Sequence, residues 1–315
     1  MDLVFSGTIE LAAAIRAGQV SATEVLEAHL AQIERHNPAL NAIVIMDVEG
    51  ARARAREADE ALARGEAWGP LHGVPFTLKD VHSTAGMRAT VGFPQLADYA
   101  AQEDSTVAAR LREAGAVLVG KTNVAMMLAD YQSSNPIFGR TNNPWNVERT
   151  PGGSSGGAAA ALAAGMTPFE IGTDLSSSIR IPAHFCGVFG LKPTENRVPL
   201  TGLFPNPRAT PRSIRTMSSI GPMARSVDDL VLLFKIIAGP DGRDTEVRPG
   251  PVDEMPELNL KNLRIAAAPT FAGFPVAADI RDAVEDLARQ LGQSGGVKRP
   301  FRSSIFARSC RAQAN

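Results

Sequence analysis

The sequence is poor in the residues on which metal centres and disulfide frameworks depend. Of 315 residues only Cys186 and Cys310 are cysteine, too few for a disulfide framework or a cysteine-based zinc site. The five histidines are scattered, and no two of them lie at HxxxH or HxH spacing. We therefore expect neither a metal nor another cofactor in the chemistry of this protein.

A surplus of charge and a long apolar run are also missing. Lys and Arg number 32 and Asp and Glu 33, so neither sign points to nucleic acid or to an anionic membrane. No stretch reaches the roughly 18 apolar residues of a membrane span, and Met1–Glu10 lacks the basic and apolar regions of a signal peptide. We expect a cytoplasmic globular protein that binds neither nucleic acid nor membrane, with a homodimer as one open state of assembly.

Apolar periodicity predicts helices in the first third of the chain and an α/β alternation after it. One helix is predicted from the N-cap Ser21 to a stop at Asn37-Pro38, and another over Val48–Ala63. Three short apolar runs predict buried strands: Val74–Leu78, Ala116–Val119 and Phe169–Thr173. This alternation predicts an α/β fold, whose functional sites gather at the ends of strands.

Two serine-rich turns, around Ser154 and Ser178, flank one predicted helix and one predicted strand. The first turn does not fit a phosphate loop, because no GK[ST] follows it. It matches the G-x-S-x-G of a nucleophile elbow, but the residues before it are turn-rich rather than a strand, and the last histidine of the chain is His184. A flexible connector is the plain alternative. The remaining functional interpretation is a serine nucleophile activated without histidine.

A serine hydroxyl becomes a good nucleophile only when a neighbouring base takes its proton, and lysine can be that base. The lysine must be buried, because burial lowers its pKa from about 10.4 towards neutrality. Lys79 follows the predicted strand Val74–Leu78, and Lys121 follows Ala116–Val119. The residues alone leave both lysines open as the base.

Five sequence blocks, taken together and in order, resemble the amidase signature family. They are GVPFTLKD (Gly73–Asp80), GKTN (Gly120–Asn123), NPWNVERTPGGSSGG (Asn143–Gly157), GTDLSSSIRIPAHFCGVFGLKPT (Gly172–Thr194) and GPMARSVDDL (Gly221–Leu230). The resemblance implies an α/β fold of the amidase signature type, with a mixed β-sheet core covered by α-helices on both faces. It also implies hydrolysis of a small-molecule carboxylic amide to an acid plus ammonia or an amine.

The same resemblance implies a Ser–Ser–Lys triad. Ser178 would form the acyl-enzyme, Ser154, after a cis peptide bond, would relay protons, and Lys79 would be the terminal base. Ser155 would support the site, and Leu128 would line the acyl pocket at a position where the family has a methionine type. An oxyanion hole is implied at four backbone N–H groups, and a supporting charge pair beside it: Leu175, Ser176, Ser177 and Ser178 for the hole, Asp174 and Arg180 for the pair.

A second enzyme interpretation of the same motifs is the glutaminase (A) subunit of a tRNA-dependent amidotransferase.

The sequence departs from the family at Ser176-Ser177, where Gly-Gly is usual. We expect side chains to crowd the anion site there, and strain wherever a positive φ is needed. Substrate range is expected to change more than catalysis.

The C-terminal end departs further from the family. Residues 295–315 carry five basic and no acidic residues and show no apolar period. We expect residues 1–294 to be an amidase signature domain that is incomplete at its C-terminal end, and 295–315 to be a basic tail, disordered or produced by a frameshift near Gln293 or Ser294. A catalytically inactive truncated fragment is therefore the third alternative.

Overall fold

The computed structural model describes residues 1–203, 215–250, 259, 261, 264–270 and 274–293, and the backbone of 297–300. They belong to two units, Met1–Asp253 and Glu254–Asn315. The described helices of the first unit are α1 (Thr8–Arg16), α2 (Ala22–Leu40), α3 (Val48–Ala63), α4 (Thr106–Glu113), α5 (Gly156–Ala163), α6 (Arg180–Cys186) and α7 (Val227–Ile237). Its described strands are β1 (Ile43–Met46), β2 (Pro75–Lys79), β3 (Val117–Thr122), β4 (Ser134–Asn135), β5 (Gly139–Arg140), β6 (Phe169–Asp174), β7 (Phe189–Gly190) and β8 (Ser219–Ala224).

Two three-stranded sheets form the centre of the first unit. In one, of order β1-β3-β2, β1 runs antiparallel and β2 parallel to β3. In the other, of order β6-β8-β7, both pairs are antiparallel. β2 packs between β3 and β6, and the rings of Phe76 and Phe169 stack with their centroids 5.2 Å apart. Parallel and antiparallel pairing are therefore mixed, and the predicted α/β class is confirmed.

The central strands β2, β3, β6 and β8 are buried at every residue. Strands of this kind are normally almost entirely apolar, because a buried charge is costly unless it is paired. These strands nevertheless contain four charged residues: Lys79, Lys121, Glu170 and Asp174. The hydrogen bonds and ion pairs of these four residues hold the candidate site in place.

α5 brings the first serine turn to this core. Gly156–Leu162 are all buried, and a Cβ on Gly157 would lie 2.4 Å from the backbone nitrogen of Asn123. Only glycine lets the first turn of α5 approach the end of β3 so closely. Ser154 and Ser155, which immediately precede the helix, are thereby held beside β2.

The predicted end of α2 is wrong. The helix does not stop at Asn37 but continues through Pro38 to Leu40. Pro38 removes a single N–H in the last turn, where interruption costs least. Asn37 Oδ1 then accepts hydrogen bonds from the backbone N–H of Ala42 and Ile43, each at 2.9 Å, which closes that turn.

The predicted end of the second buried strand is also wrong. β3 does not stop at Val119 but continues to Thr122, since it pairs with β2 along that length. In this register Lys79 lies opposite Thr122, and Leu78 lies opposite Lys121. Successive residues of a strand face opposite sides, so Lys79 and Lys121 project from opposite faces of the sheet.

The second unit contains β9 (Arg264–Ala267), α8 (Ala278–Gln293) and β10 (Val297–Pro300), with β10 parallel to β9. β10 lies in the segment 295–315, which the sequence sets apart as a tail. The rest of that segment lies outside the described residues, and the boundary at 294 stays a prediction. None of the helices in the described ranges has the length and apolar character needed to cross a membrane.

Candidate active site

Lys79 lies at the end of β2 and is fully buried. Its Nζ lies 2.8 Å from each of three hydroxyl oxygens, those of Ser154, Ser155 and Thr173. The two serines come from the turn before α5, and Thr173 comes from β6. One loop and two neighbouring strands thus converge on a single buried amine.

Burial lowers the pKa of Lys79 to about 7, although the charges of Glu170 and Asp174 act to raise it. A lysine with such a pKa is neutral in a large fraction of molecules at neutral pH. Its amine can therefore accept a proton there, which is what a general base must do.

The three contacts of Lys79 fit both of its charge states. An ammonium donates to all three hydroxyls, whereas a neutral amine donates two hydrogen bonds and accepts one. Ser155 Oγ donates to the backbone oxygen of Thr173 at 3.4 Å, so its proton is committed. In the neutral state the hydroxyl that donates to Nζ is thus that of Ser154 or of Thr173. The peptide bond between Gly153 and Ser154 is cis.

Lys121, the other lysine that the sequence left open, has different neighbours. It is also fully buried, but its Nζ donates to the backbone oxygen of His82 at 2.5 Å. Burial lowers the pKa of Lys121 to about 8, and the carboxylate of Asp80 acts to raise it. The structure therefore brings Lys79, and not Lys121, to the serines.

Ser178 lies in the turn between β6 and α6 and is buried, with 8% of its surface exposed. Its backbone oxygen accepts a hydrogen bond of 3.2 Å from the backbone N–H of Ser155, which joins the two serine turns. The two turns, 24 residues apart in the sequence, therefore meet in the fold. Within the described ranges the Ser178 hydroxyl makes no hydrogen bond, so it is free to meet a ligand.

Asp174 organises the turn that carries Ser178. Arg180 donates to its carboxylate through Nε at 3.0 Å and Nη2 at 2.9 Å. The backbone N–H of Ser177 at 2.8 Å and of Ile179 at 3.1 Å also donate to it. Burial raises the pKa of Asp174, but these hydrogen bonds outweigh burial and leave the pKa below its ordinary value. The expected pair of Asp174 and Arg180 is present.

The four backbone amides expected to form an oxyanion hole are not equivalent. That of Ser177 is taken by Asp174. Those of Leu175, Ser176 and Ser178 make no hydrogen bond in the described part of the chain. Ser177 has φ 78°, in the left-handed region that favours glycine, so the strain predicted for the Ser-Ser sequence falls on this residue. The oxyanion role itself stays a prediction.

Beside the turn, the hydroxyl oxygens of Tyr131 and Ser176 lie 2.9 Å apart. Leu128, three residues before Tyr131, is half-buried against the main core. Its expected place in an acyl pocket stays a prediction. Cys186 is a buried thiol whose pKa burial raises to about 12, as suits a small packing residue rather than a nucleophile.

Sequence reasoning missed three residues that the structure places at or near the site. Thr173 could have been found from its position just before the second serine turn. Glu170 could have been found because it is an acidic residue within an apolar strand. Tyr131 carried no such signal. Among the residues with described positions, no three His, Cys, Asp or Glu side chains are arranged to hold a metal ion.

The family described as Amidase matches residues 24–309 of this chain. The chain belongs to the amidase family. The matched range runs across both units and into the segment that the sequence set apart as a tail. The predicted membership and the amidase signature fold are confirmed.

Relatives and solved structures agree with this assignment. A protein of Carboxydothermus hydrogenoformans, named as the glutamyl-tRNA(Gln) amidotransferase (A) subunit, is 40% identical over 300 residues, 94% of this chain and 60% of that protein. The structure of 6-aminohexanoate cyclic dimer hydrolase with substrate superposes with a TM-score of 0.82 at 32% identity, over 96% of this chain and 61% of that one. Fatty acid amide hydrolase superposes with a TM-score of 0.87 at 26% identity, over 98% and 54%. The chain thus spans about three fifths of the length of the curated relatives it matches.

Proposed function

We propose that this protein hydrolyses the C–N bond of a carboxylic amide through an acyl-enzyme on Ser178. Ser154 relays protons and Lys79 is the terminal base. The observation that supports this most strongly is the 2.8 Å contact between Lys79 Nζ and Ser154 Oγ, made by a fully buried lysine whose pKa burial lowers to about 7. The solved structures to which this chain is similar include 6-aminohexanoate cyclic dimer hydrolase and fatty acid amide hydrolase.

In the acylation step the Ser178 oxygen attacks the carbonyl carbon of the amide. The proton of Ser178 passes to Ser154, and the proton of Ser154 passes to neutral Lys79. When the C–N bond breaks, the proton returns from Lys79 through Ser154 to the leaving nitrogen. Water then attacks the ester by the same proton route, which releases the acid and restores Ser178. Proton transfer of this kind contributes about 10²–10⁴-fold to a rate.

The negative charge that develops on the carbonyl oxygen needs hydrogen-bond donors. Under this proposal the open backbone amides of Leu175, Ser176 and Ser178 supply them. A donor of this type contributes about 2.7–4 kcal/mol to the transition state in other enzymes. Asp174 has the supporting part, since it holds the turn through Ser177 and Arg180.

Labelling with a fluorophosphonate tests the proposal without knowledge of the substrate. The probe needs an activated serine and a formed oxyanion hole. We expect one adduct on the purified chain, detected by intact mass, and none on Ser178→Ala. Ser155→Ala serves as the matched control, because it alters another buried serine of the cluster and leaves both the proposed nucleophile and Ser154 in place. Absence of an adduct on the folded wild-type chain contradicts the proposal and favours the inactive fragment.

A second candidate function is hydrolysis of the glutamine amide for a partner subunit. The observation that favours it is that the curated relatives found at 39–45% identity are named as the glutamyl-tRNA(Gln) amidotransferase (A) subunit. Because those names include tRNA, they also argue against the expectation that this protein does not bind nucleic acid. Ammonia release from glutamine that rises on addition of partner subunits and charged tRNA supports this candidate. Hydrolysis of simple amides that the same addition leaves unchanged supports the first.

A further inference from the structure

A carboxyl group lies buried beside the proposed base. Glu170 belongs to β6, and its side chain reaches across β2 to Thr122 of β3, whose hydroxyl donates to Glu170 Oε1 at 2.7 Å. Thr122 is the register partner of Lys79 in the β2–β3 pair. Residues paired in adjacent strands project from the same face, so Lys79 and the hydrogen bond between Thr122 and Glu170 lie on the same face of the sheet.

Glu170 is fully buried, and its second carboxylate oxygen, Oε2, has no hydrogen-bond partner among the described residues. An ionised carboxylate with an empty oxygen in such a place is costly unless a cation faces it. Two buried cations lie in the electrostatic field of Glu170. The charge of Lys79 on β2 acts to lower the pKa of Glu170. The charge of Glu170 acts to raise the pKa of Lys121 on β3. Asp174 on β6 is the other carboxylate that acts on Lys79.

Other charged groups of the neighbourhood act mainly on Lys121. Asp80 and Asp104 raise its pKa, and Arg112 lowers it. Asp80 has its own donor, since Thr90 Oγ1 lies 2.5 Å from Oδ2. Burial lowers the pKa of His82 to about 3, so this ring carries no charge near neutral pH. Of the two carboxylates whose charges act on Lys79, Glu170 has the larger effect and Asp174 the smaller.

We propose that Glu170 is a positioning residue that sets the protonation state of Lys79 through its buried charge, an inference that rests on the proposed function. With Glu170 ionised, the proton on Lys79 is stabilised, and with Glu170 neutral, Lys79 releases its proton more readily. The two groups therefore titrate as a pair rather than singly.

The direction of each shift agrees with this arrangement. Burial raises the pKa of Glu170 to about 7. The hydroxyls of Thr122 and Thr77 and the backbone N–H of Ile171 act to lower it, and the charge of Lys79 adds to them in the same direction. Burial lowers the pKa of Lys79 to about 7, and the charge of Glu170 acts to raise it. The carboxyl thus opposes the effect of burial on the pKa of the base.

Titration of Lys79 in the full chain tests the inference directly. The chain has only six lysines, so ¹³Cε-lysine NMR resolves Lys79, which is assigned by the loss of its signal in Lys79→Met. In Glu170→Gln, which keeps the oxygen facing Thr122 but cannot carry charge, we expect the pKa of Lys79 to fall by about one unit or more. The acid limb of fluorophosphonate labelling should move to lower pH by the same amount.

Thr122→Val is the matched control, because it removes the hydrogen bond to Glu170 and leaves the carboxyl in place. If the pKa of Lys79 shifts in Thr122→Val by less than half of its shift in Glu170→Gln, the result supports a role for the charge of Glu170. An unshifted Lys79 in Glu170→Gln, or an equal shift in both variants, overturns the inference and assigns Glu170 a packing role.

A measurement on the wild-type chain covers the case in which Glu170→Gln does not fold. The side-chain carboxyl ¹³C signal of Glu170 should show an inflection at the pH where Lys79 titrates, and its absence overturns the inference. Neither NMR titration requires turnover. A wild-type chain that takes up no probe contradicts the proposed function, whereas an unshifted Lys79 contradicts the role of Glu170, so the two failures are seen separately.

Discussion

The backbone N–H of Ser177 donates to Asp174 Oδ1 at 2.8 Å, and Ser177 itself has a left-handed conformation with φ 78°. The amides on either side, those of Ser176 and Ser178, make no hydrogen bond to any residue that the structure describes. The buried carboxylate of Asp174 thus occupies one of the four backbone amides that the family resemblance implied for the oxyanion hole.

The strain at Ser177 predicts that Ser177→Gly is more stable than the wild type. A non-glycine residue in this region destabilises the folded state by about 1–2 kcal/mol. Glycine avoids this strain but loses more conformational entropy on folding, which offsets part of the gain. We expect the free energy of unfolding to rise by about 0.5–1 kcal/mol in urea denaturation. Ser176→Gly is the control, because Ser176 does not have a positive φ, and it should gain nothing. Equal gains in the two variants would contradict the assignment of strain to Ser177.

Lys79→Met is expected to lose activity by about 10²–10⁴-fold, because the base is gone. Its stability carries a second signature. The pKa of folded Lys79 is lowered to about 7, so between pH 7 and 10 the folded chain binds fewer protons than the unfolded one, and the free energy of unfolding rises with pH. The rise is at most about 1.4 kcal/mol per pH unit. Lys79→Met should lack this contribution and keep only the rise due to Lys121, whose pKa burial lowers to about 8, as measured by urea denaturation at pH 7, 8 and 9.

Lys121→Met separates the two buried lysines. Lys121 donates to the His82 carbonyl and lies in the field of Asp80, so its removal leaves a buried acceptor and a buried acid without their cation. We expect a loss of about 3–5 kcal/mol in the free energy of unfolding, as when a buried pair is broken. Any folded fraction should still label at Ser178. A stable Lys121→Met chain that does not label would instead make Lys121 the base.

The pH dependence of the reaction follows from the same lysine. Protonated Lys79 cannot accept a proton, so the rate of probe labelling should fall about tenfold per pH unit below about pH 7 and level off above it. A rate that is flat from pH 5.5 to 8.5 would exclude Lys79 as the base. The same profile for hydrolysis of a simple amide, once a substrate is found, would extend the result from the probe to turnover.

Much of this arrangement could be predicted from the sequence, and the misses have physical causes. The serine turns, Lys79 and the Asp174–Arg180 pair followed from residue types and a family resemblance. The residue types alone did not decide between Lys79 and Lys121, because the choice depends on the β2–β3 register, which places them on opposite faces. Glu170 was hidden because it lies in a strand whose apolar neighbours predict burial, while its contact with Thr122 joins residues 48 positions apart.

The Arg180 side chain offers a final test of the turn. It is half exposed, whereas the Asp174 carboxylate that it contacts is fully buried. Arg180→Ala removes two hydrogen bonds from that carboxylate, and we expect a loss of about 1–2 kcal/mol in the free energy of unfolding, reduced from a fully buried pair because solvent reaches the arginine. Arg180→Lys should recover less than half, since a point charge cannot replace both contacts.

Acid denaturation distinguishes this effect from a general loss of packing. The pKa of Asp174 lies below its ordinary value, so its stabilising contribution is present above the unfolded pKa of about 3.9 and is lost as pH falls through the folded pKa. Without Arg180 the folded pKa of Asp174 should rise towards that of the unfolded chain, and this part of the acid-dependent loss should shrink. The deficit of Arg180→Ala relative to the wild type is therefore expected to be larger at pH 7 than at a pH well below the unfolded pKa of about 3.9. A deficit that is the same at both pH values would assign Arg180 to packing and leave Ser177 and Ile179 as the main partners of the carboxylate.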